Sequence, residues 1–145
     1  MEIRFTVPGV HKGKQRARNR LVRKKDGSSF VSTYTPSETR NQEALVRDFA
    51  QKAMGNRPPL EGPIKFNMCA YLPVPPSWSN KKRADAIAGK IFPIGKPDFD
   101  NYAKLISDAI NQLVFVDDSQ IVTSTIYKRY SDRPRLSVVI TQQVP

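Results

Sequence analysis

Between Asp98 and Asp118 the chain sets five carboxylates, Asp98, Asp100, Asp108, Asp117 and Asp118, against a single base, Lys104. In the run Lys96-Pro97-Asp98-Phe99-Asp100-Asn101-Tyr102-Ala103-Lys104, two aspartates stand two residues apart and a lysine follows one helical turn later. Pro97 biases Lys96 towards extended geometry, and in an extended segment the Asp98 and Asp100 carboxylates point to the same side. Asp100 falls at a helix entrance, where free N–H groups and the helix dipole favour an anion. Lys104 then rises beside it on the same helical face. Asp117 and Asp118 follow the helix after a short connection and read as the opening of a strand. Adjacent strand residues face opposite ways, so only one of the two is expected to turn towards Asp98 and Asp100. Carboxylates grouped this way suit Mg²⁺ or Mn²⁺, hard cations that take oxygen ligands and keep several waters. The chemistry served would be phosphodiester hydrolysis, with the cation activating water and a neighbouring lysine stabilising the transition state.

Two other readings compete for the same residues. Asp-x-Asp-Asn resembles the start of an EF-hand, but the sixth loop position is Ala103 rather than Gly and the twelfth is Ala109 rather than Glu. That mismatch excludes it. Plain capping, with Asp98 or Asp100 as N-cap and Lys104 in an i,i+4 ion pair, stays open beside the metal site on spacing alone. Asp108, one turn after Lys104, reads equally as an ion-pair partner of that lysine and as a solvated residue.

The carboxylate cluster interrupts a chain of opposite sign. The 145 residues carry a net charge of +11, and eight bases fall between His11 and Lys25 with no acid among them. They are Lys12, Lys14, Arg16, Arg18, Arg20, Arg23, Lys24 and Lys25. Such a stretch points to a polyanion, because neutralising phosphates releases condensed counterions. A simple nucleic-acid binder gains nothing by showing carboxylates to phosphate; a metal-dependent nuclease does. The competing class is a non-catalytic basic DNA-binding protein whose Asp cluster only caps a helix. An apolar fraction of 39% suffices for a packed core and argues against disorder. The longest apolar run, Leu113-Val114-Phe115-Val116, is too short to span a bilayer. The single cysteine, Cys69, excludes an internal disulfide and a cysteine-based zinc site. The first residues lack a charged-then-apolar leader pattern. The expectation is a soluble cytoplasmic protein with no membrane association and no small-molecule cofactor.

The positioning elements follow from periodicity. Ile3, Phe5 and Val7 alternate as a first strand stopped by Pro8-Gly9. Leu21–Lys25 and Ser28–Tyr34 flank Asp26-Gly27, a type I′ turn signal, which predicts a basic hairpin. Thr35, Pro36 and Glu38 read as cap, first helical residue and capping box, opening a helix in which Ala44, Leu45, Phe49, Lys52 and Ala53 keep helical spacing. Ile64, Phe66, Met68 and Ala70 mark a second strand, and Ser79 to Gly89 a short basic helix. From Phe99 to Leu113, Tyr102, Leu105, Ile106, Ala109, Ile110 and Leu113 draw one apolar helical face. Ser119–Arg129 and Arg135–Thr141 read as two strands joined into a hairpin around Ser131-Asp132-Arg133-Pro134. This order predicts an α/β (α+β) layer fold: a small mixed, largely antiparallel sheet with helices packed on it. Residues 1–145 are read as one domain, with a basic arm or hairpin at about 9–34. Among the remaining candidates, His11 reads as a loop residue, Cys69 and Met68 as packing, and Trp78 as a loop anchor in preference to a base-stacking platform.

The run Lys96-Pro-Asp98-Phe-Asp100-Asn101-Tyr-x-Lys104-x3-Asp108-Ala-Ile-Asn, followed by Val116-Asp117-Asp118-Ser-Gln120-Ile-Val, resembles the signature of RusA-type Holliday junction resolvases. The resemblance is dense over Lys96–Lys128, and the order of elements before it agrees. It implies an intertwined homodimer and a Mg²⁺-dependent endonuclease, with Mn²⁺ as a substitute. Such an enzyme nicks four-way DNA junctions symmetrically in recombination and repair and leaves 5′-phosphate ends. It places the catalytic and metal-holding carboxylates on Asp98, Asp100 and Asp118 and the catalytic lysine on Lys104. The family's arginine run ahead of the first aspartate is here Ile94-Gly95-Lys96-Pro97, with one base. The charge for junction binding is therefore expected from Lys96, from Lys81, Lys82 and Arg83, and from Lys12, Lys14, Arg16, Arg18 and Arg20.

Overall fold

Strict alternation buries Ile3, Phe5 and Val7 on one side of β1 (Glu2–Pro8), and the same period governs β4 (Ile64–Leu72) and β6 (Arg135–Gln142). The structure is a computed structural model that describes residues 1–14, 17–34 and 37–145. Together with β5 (Ile121–Tyr130) these strands form a four-stranded sheet in the order β1-β6-β4-β5. The β1/β6 and β6/β4 pairs are antiparallel and the β4/β5 pair is parallel. The sheet is mixed and largely antiparallel, as the order of elements predicts.

Two helices cover one face of it. Helix α1 (Ser37–Met54) lays down Val46, Ala50 and Met54, and α3 (Phe99–Ile110) lays down Tyr102, Leu105, Ile106, Ala109 and Ile110. They pack against Phe5, Phe66, Met68, Val138 and Ile140 in one buried cluster. The α3 face is the one its periodicity predicts, although the helix stops at Ile110 rather than running on to Leu113. On α1 the buried stripe runs through Thr39, Val46, Ala50 and Met54, while Ala44 and Leu45 face solvent. The weakly amphipathic sequence misplaced that stripe by about one residue. Arg47 of α1 closes the end of α3, donating through Nη1 to the Ala109 and Asn111 carbonyls, both at 3.1 Å. Those are acceptors that a helix C-terminus leaves without intrahelical partners. The predicted Thr35–Pro36 helix start lies outside the described residues. Among the described residues no helix is long and apolar enough to cross a membrane.

The predicted hairpin of the last two strands is not formed. Strands β5 and β6 lie on opposite sides of β4, and the connection through Ser131 to Pro134 steps over its end, with Ser131 N–H donating to the Leu72 carbonyl at 2.9 Å. A four-residue link spans two strand spacings, about 10 Å, as readily as it closes a turn. Local pattern therefore cannot tell the two apart. The consequence is a parallel β4/β5 pair whose crossover carries α2 (Asn80–Ile87) and α3.

Strands β2 (Arg18–Arg23) and β3 (Ser29–Tyr34) form a separate antiparallel hairpin. Its turn differs from the predicted two-residue I′ type. Gly27 N–H donates to the Lys24 carbonyl at 3.2 Å and Lys24 N–H to Ser28 O at 2.8 Å, which leaves a three-residue loop, Lys25-Asp26-Gly27. Only Gly27, at φ 88°, takes the left-handed conformation. A type I′ turn would require positive φ at two adjacent positions. Asp26 instead accepts from both the N–H and the hydroxyl of Ser28, at 2.9 and 2.6 Å.

Candidate active site

The parallel pair and the crossover helix fix where the chemistry sits. Helix α3 begins near the carboxyl ends of β4 and β5, where Leu72 and Tyr130 share a cavity with Lys96 and Pro97. Asp98 takes the N-cap position of α3 with extended angles (φ −70°, ψ 152°), and Asp100 is the second helical residue. Their side chains thus converge through the geometry of a helix entrance, not through the extended spacing expected from sequence. The Lys96–Pro97 peptide bond just ahead of them is cis.

The capping reading makes a specific demand that Asp98 does not meet. Its carboxylate forms no capping hydrogen bond to the helix. It faces the Lys96 ammonium instead, at 3.0 Å. Asp100 is exposed and accepts from the neighbouring Asn101 N–H at 3.1 Å. Both carboxylates open into one cleft of about 710 Å³, lined also by Lys12, Lys14, Lys96, Pro97 and Asn101. Two carboxylates and three lysines thus line one cleft, an oxygen-donor pair with cations beside it.

The front of the basic stretch is docked beside this cleft. His11 Nε2 donates to the Pro8 carbonyl at 3.1 Å, and the Tyr102 hydroxyl donates to the His11 carbonyl at 3.2 Å. Burial pushes the Tyr102 phenol up to about 12. Lys14 N–H donates to the Asn101 carbonyl at 3.0 Å. Between them Gly13, at φ 78°, lies so close to α3 that a Cβ would come within 3.2 Å of the Asn101 Cβ. A side chain here would strain the left-handed backbone and crowd Asn101 by a few tenths of an ångström.

Lys14 then reaches two carboxylates, Glu43 of α1 at 2.9 Å and Asp108 of α3 at 2.7 Å. Burial opposes its charge, but the hydrogen bonds and charges of Asp108 and Glu43 outweigh that, and its pKa lies above the ordinary 10.5. Asp108 also takes Lys104 at 3.3 Å, so Lys104 leans along the helix towards Asp108 and its head stays largely in solvent. The ion pair that spacing permitted between Lys104 and Asp108 is present. Lys14, read from sequence as a phosphate contact, is committed to internal partners; only its distance to Asp108 and Glu43 reveals this.

Asp118 stands elsewhere. It opens a single 3-10 turn, Asp118–Gln120, rather than a strand. Asp117 is the cap of that turn. It accepts from the hydroxyl and N–H of Ser119, which hold its carboxyl below the usual value. Its own N–H donates to Gln120 Oε1 at 2.8 Å. Gln120 Nε2 in turn donates to Leu60 and Gly62, fastening the turn to the start of β4. The Asp117-x-x-Gln120 spacing is a capping-box signature that was readable in advance. Asp118 therefore sits by the residues that lead into β4, whereas Asp98 and Asp100 sit by the carboxyl ends of β4 and β5. Among the described residues no three His, Cys, Asp or Glu side chains of the chain gather as metal ligands, and none bonds or ion-pairs with the Asp118 carboxylate.

The other predicted basic residues divide into two groups. On one hairpin face Arg20 lies 5.7 Å over Tyr34 and Lys24 lies 5.5 Å over Phe30, with Arg18 beside them and exposed. Arg16 lies outside the described residues. On α2, Lys81 is exposed, Lys82 stacks 4.0 Å over Trp78, and Arg83 donates to the Pro75 carbonyl at 3.4 Å. Trp78 also meets Tyr130 edge to face at 5.3 Å, which makes it a loop anchor. Lys12 pairs with Glu38 at 3.1 Å while lining the carboxylate cleft.

Comparison with known proteins bears on what this arrangement is for. An uncharacterized protein of Bacillus subtilis (strain 168), YqaN, is 37% identical over 150 residues, covering 97% of this chain and 96% of that protein. The family pattern described as endodeoxyribonuclease RusA matches residues 8–141, from the end of β1 to the end of β6. With the aspartate pair at the mouth of α3 and the match running nearly the whole length, the chain belongs to the RusA endodeoxyribonuclease family.

Proposed function

We propose that two copies of this chain form a Holliday junction resolvase, a divalent-cation-dependent endonuclease that nicks four-way DNA junctions on two opposed strands. The observation that carries the reading is Asp98: a carboxylate at an N-cap that caps nothing, opening with Asp100 into a lysine-lined cleft. Its donor chemistry is all oxygen, with no imidazole or thiol in the cleft lining, which fits Mg²⁺ or Mn²⁺. Asp98 and Asp100 would hold the cation. When bound, it would supply charge neutralisation at the scissile phosphate and activation of the attacking water.

The chain's own residues do the remainder. Lys96 and Lys12 draw the phosphate backbone into the cleft. Lys104 stands one turn from Asp100 with its ammonium paired to Asp108 and largely in solvent, and it would have to swing from Asp108 towards the cleft to steady developing negative charge. The third carboxylate of the family site, Asp118, lies too far away to serve the same copy. A two-fold partner supplies it: in a symmetric dimer each copy's Asp118 meets the other's Asp98 and Asp100. A cation that keeps several waters needs few protein ligands, so three carboxylates drawn from two chains suffice. The exposed apolar residues of the β2–β3 hairpin, Leu21, Phe30 and Val31, support a partner as well, since a lone two-stranded hairpin is marginal in water.

The testing experiment incubates the protein with a labelled four-way junction, a Y-structure and a linear duplex, with Mg²⁺, with Mn²⁺ and with chelator. Paired nicks in the junction alone, sealable by ligase and dependent on the cation, are expected. Tight junction binding without cutting in either metal would leave a DNA-binding protein and remove the nuclease reading. A second measurement addresses the hairpin. Replacing Arg18 and Arg20 with alanine is expected to lower the slope of log K against log salt by about 1–2, since each phosphate contact contributes roughly 0.9. An unchanged slope would take the hairpin out of the DNA interface.

A further inference from the structure

Beside the carboxylate cleft lies a second, more enclosed cavity of about 290 Å³. Its walls are Leu72, Pro75, Pro97, Tyr102, Tyr130 and Leu136, an apolar and partly aromatic lining. The two spaces are contiguous: Lys12, Lys96 and Pro97 line both. That volume is at the lower end of small-molecule sites, room for one planar heterocycle and too little for a base pair. We propose that this cavity receives a single unstacked nucleobase of the strand whose phosphate lies at Asp98 and Asp100. The inference rests on the nuclease reading above and specifies how its substrate is held at the point of strand exchange.

Three observations select a nucleobase as the occupant. Lys12 and Lys96 line both spaces, paired in this structure with Glu38 and Asp98, and phosphates on either side of an extruded nucleotide would compete for both ammoniums, a setting that does not suit a neutral apolar ligand. The Tyr130 ring is braced by Trp78 at 5.3 Å, and a fixed aromatic wall is the stacking surface on which displaced bases settle. The third is His11, which lines the cavity and is 7% exposed. Its Nε2 faces the Pro8 carbonyl and must carry the proton, so in the neutral ring Nδ1 is a bare acceptor. Among the described residues that buried Nδ1 has no hydrogen-bond partner. That nitrogen is shielded as the ring stands, so it would accept from an amino or imino N–H on a base edge only as the ring shifts to admit the base. A four-way junction supplies such bases at low cost, because stacking is already interrupted where strands exchange.

Gly95 provides the test. It lines the cavity, its φ is not in the left-handed region, and a Cβ there meets nothing within 4 Å, so a larger side chain is admitted at the cavity's edge without straining the backbone. Junctions carrying 2-aminopurine at successive positions around the exchange point would be bound in chelator, with mobility shift and fluorescence read on the same samples. Wild type and Gly95→Ala are expected to raise the emission at one position several-fold. Gly95→Leu should bind the junction yet lose most of that rise, and His11→Ala should weaken it. A rise of equal size in Gly95→Leu, or junction binding by wild type with no rise at any position, would overturn the cavity proposal while leaving the nuclease intact. Failure of wild type to bind the junction at all would overturn the nuclease reading and the cavity proposal with it.

Discussion

Asp100→Asn is expected to lower four-way junction cleavage by about a thousandfold or more while leaving junction binding intact or tighter. The size follows from losing a charged oxygen ligand for the cation that offsets charge at the phosphate; groups with that role are typically worth several kcal/mol of transition-state stabilisation, of order 10²–10³ in rate or greater. The direction of the binding change follows from Coulomb's law, since a carboxylate facing the DNA backbone is repulsive once no cation sits between them. The substitution separates the two readings of the motif. Asparagine caps a helix about as well as aspartate, and its Oδ1 still accepts from the Asn101 N–H as Asp100 does at 3.1 Å. Asp100 is exposed at the first turn, so the loss of charge there costs roughly 0.3–1 kcal/mol through the helix dipole. A mutant that folds with nearly the wild-type Tm, shifts the junction on a gel and does not cut it is the expected outcome. Single-turnover cleavage at wild-type rate would return Asp98 and Asp100 to a merely structural part.

Why the placement of Asp98 and Asp100 was legible in sequence and that of Asp118 was not is a matter of range. Asp98, Asp100, Lys104 and Asp108 lie within three helical turns of one another, where spacing dictates geometry. The apolar face of α3 was likewise readable because Tyr102, Leu105, Ile106, Ala109 and Ile110 report a local period. The insertion of β4 between β5 and β6 is a non-local choice, and no residue in Ser131–Pro134 encodes whether the chain turns back or steps across. That single choice makes β4 and β5 parallel, puts α3 in the crossover between them, and leaves Asp118 by the start of β4. The docking of residues 11–14 was hidden for a different reason. A run of bases reads as one electrostatic feature, yet Lys14 is drawn inward by Glu43 and Asp108, residues 29 and 94 positions away. The basic stretch is thus two devices, a fastened strap over the α3 entrance and a free hairpin beyond it.

The second large effect concerns whose Asp118 completes each site. Asp100→Asn and Asp118→Asn proteins, each alone, are expected to be inactive. Mixed and allowed to exchange subunits, they should recover activity if the carboxylates of a site come from different copies. A heterodimer then holds one site with an intact Asp98–Asp100 pair from the Asp118→Asn chain and an intact Asp118 from the Asp100→Asn chain. Its other site carries both lesions. At equal mixing half of the dimers are heterodimers, so roughly a quarter of the wild-type number of working sites should return. Because each such dimer has only one of them, the product should be a singly nicked junction and not a resolved pair of duplexes. Were all three carboxylates to come from one chain, every site in the mixture would carry a lesion and no activity would return. The placement of Asp118 by the start of β4 and of Asp98 and Asp100 by its carboxyl end predicts recovery. The nick count in a supercoiled cruciform plasmid reads it directly, since a lone nick relaxes the circle whereas paired nicks linearise it. Linear product from the mixture at the wild-type share would contradict the shared site as surely as no product at all.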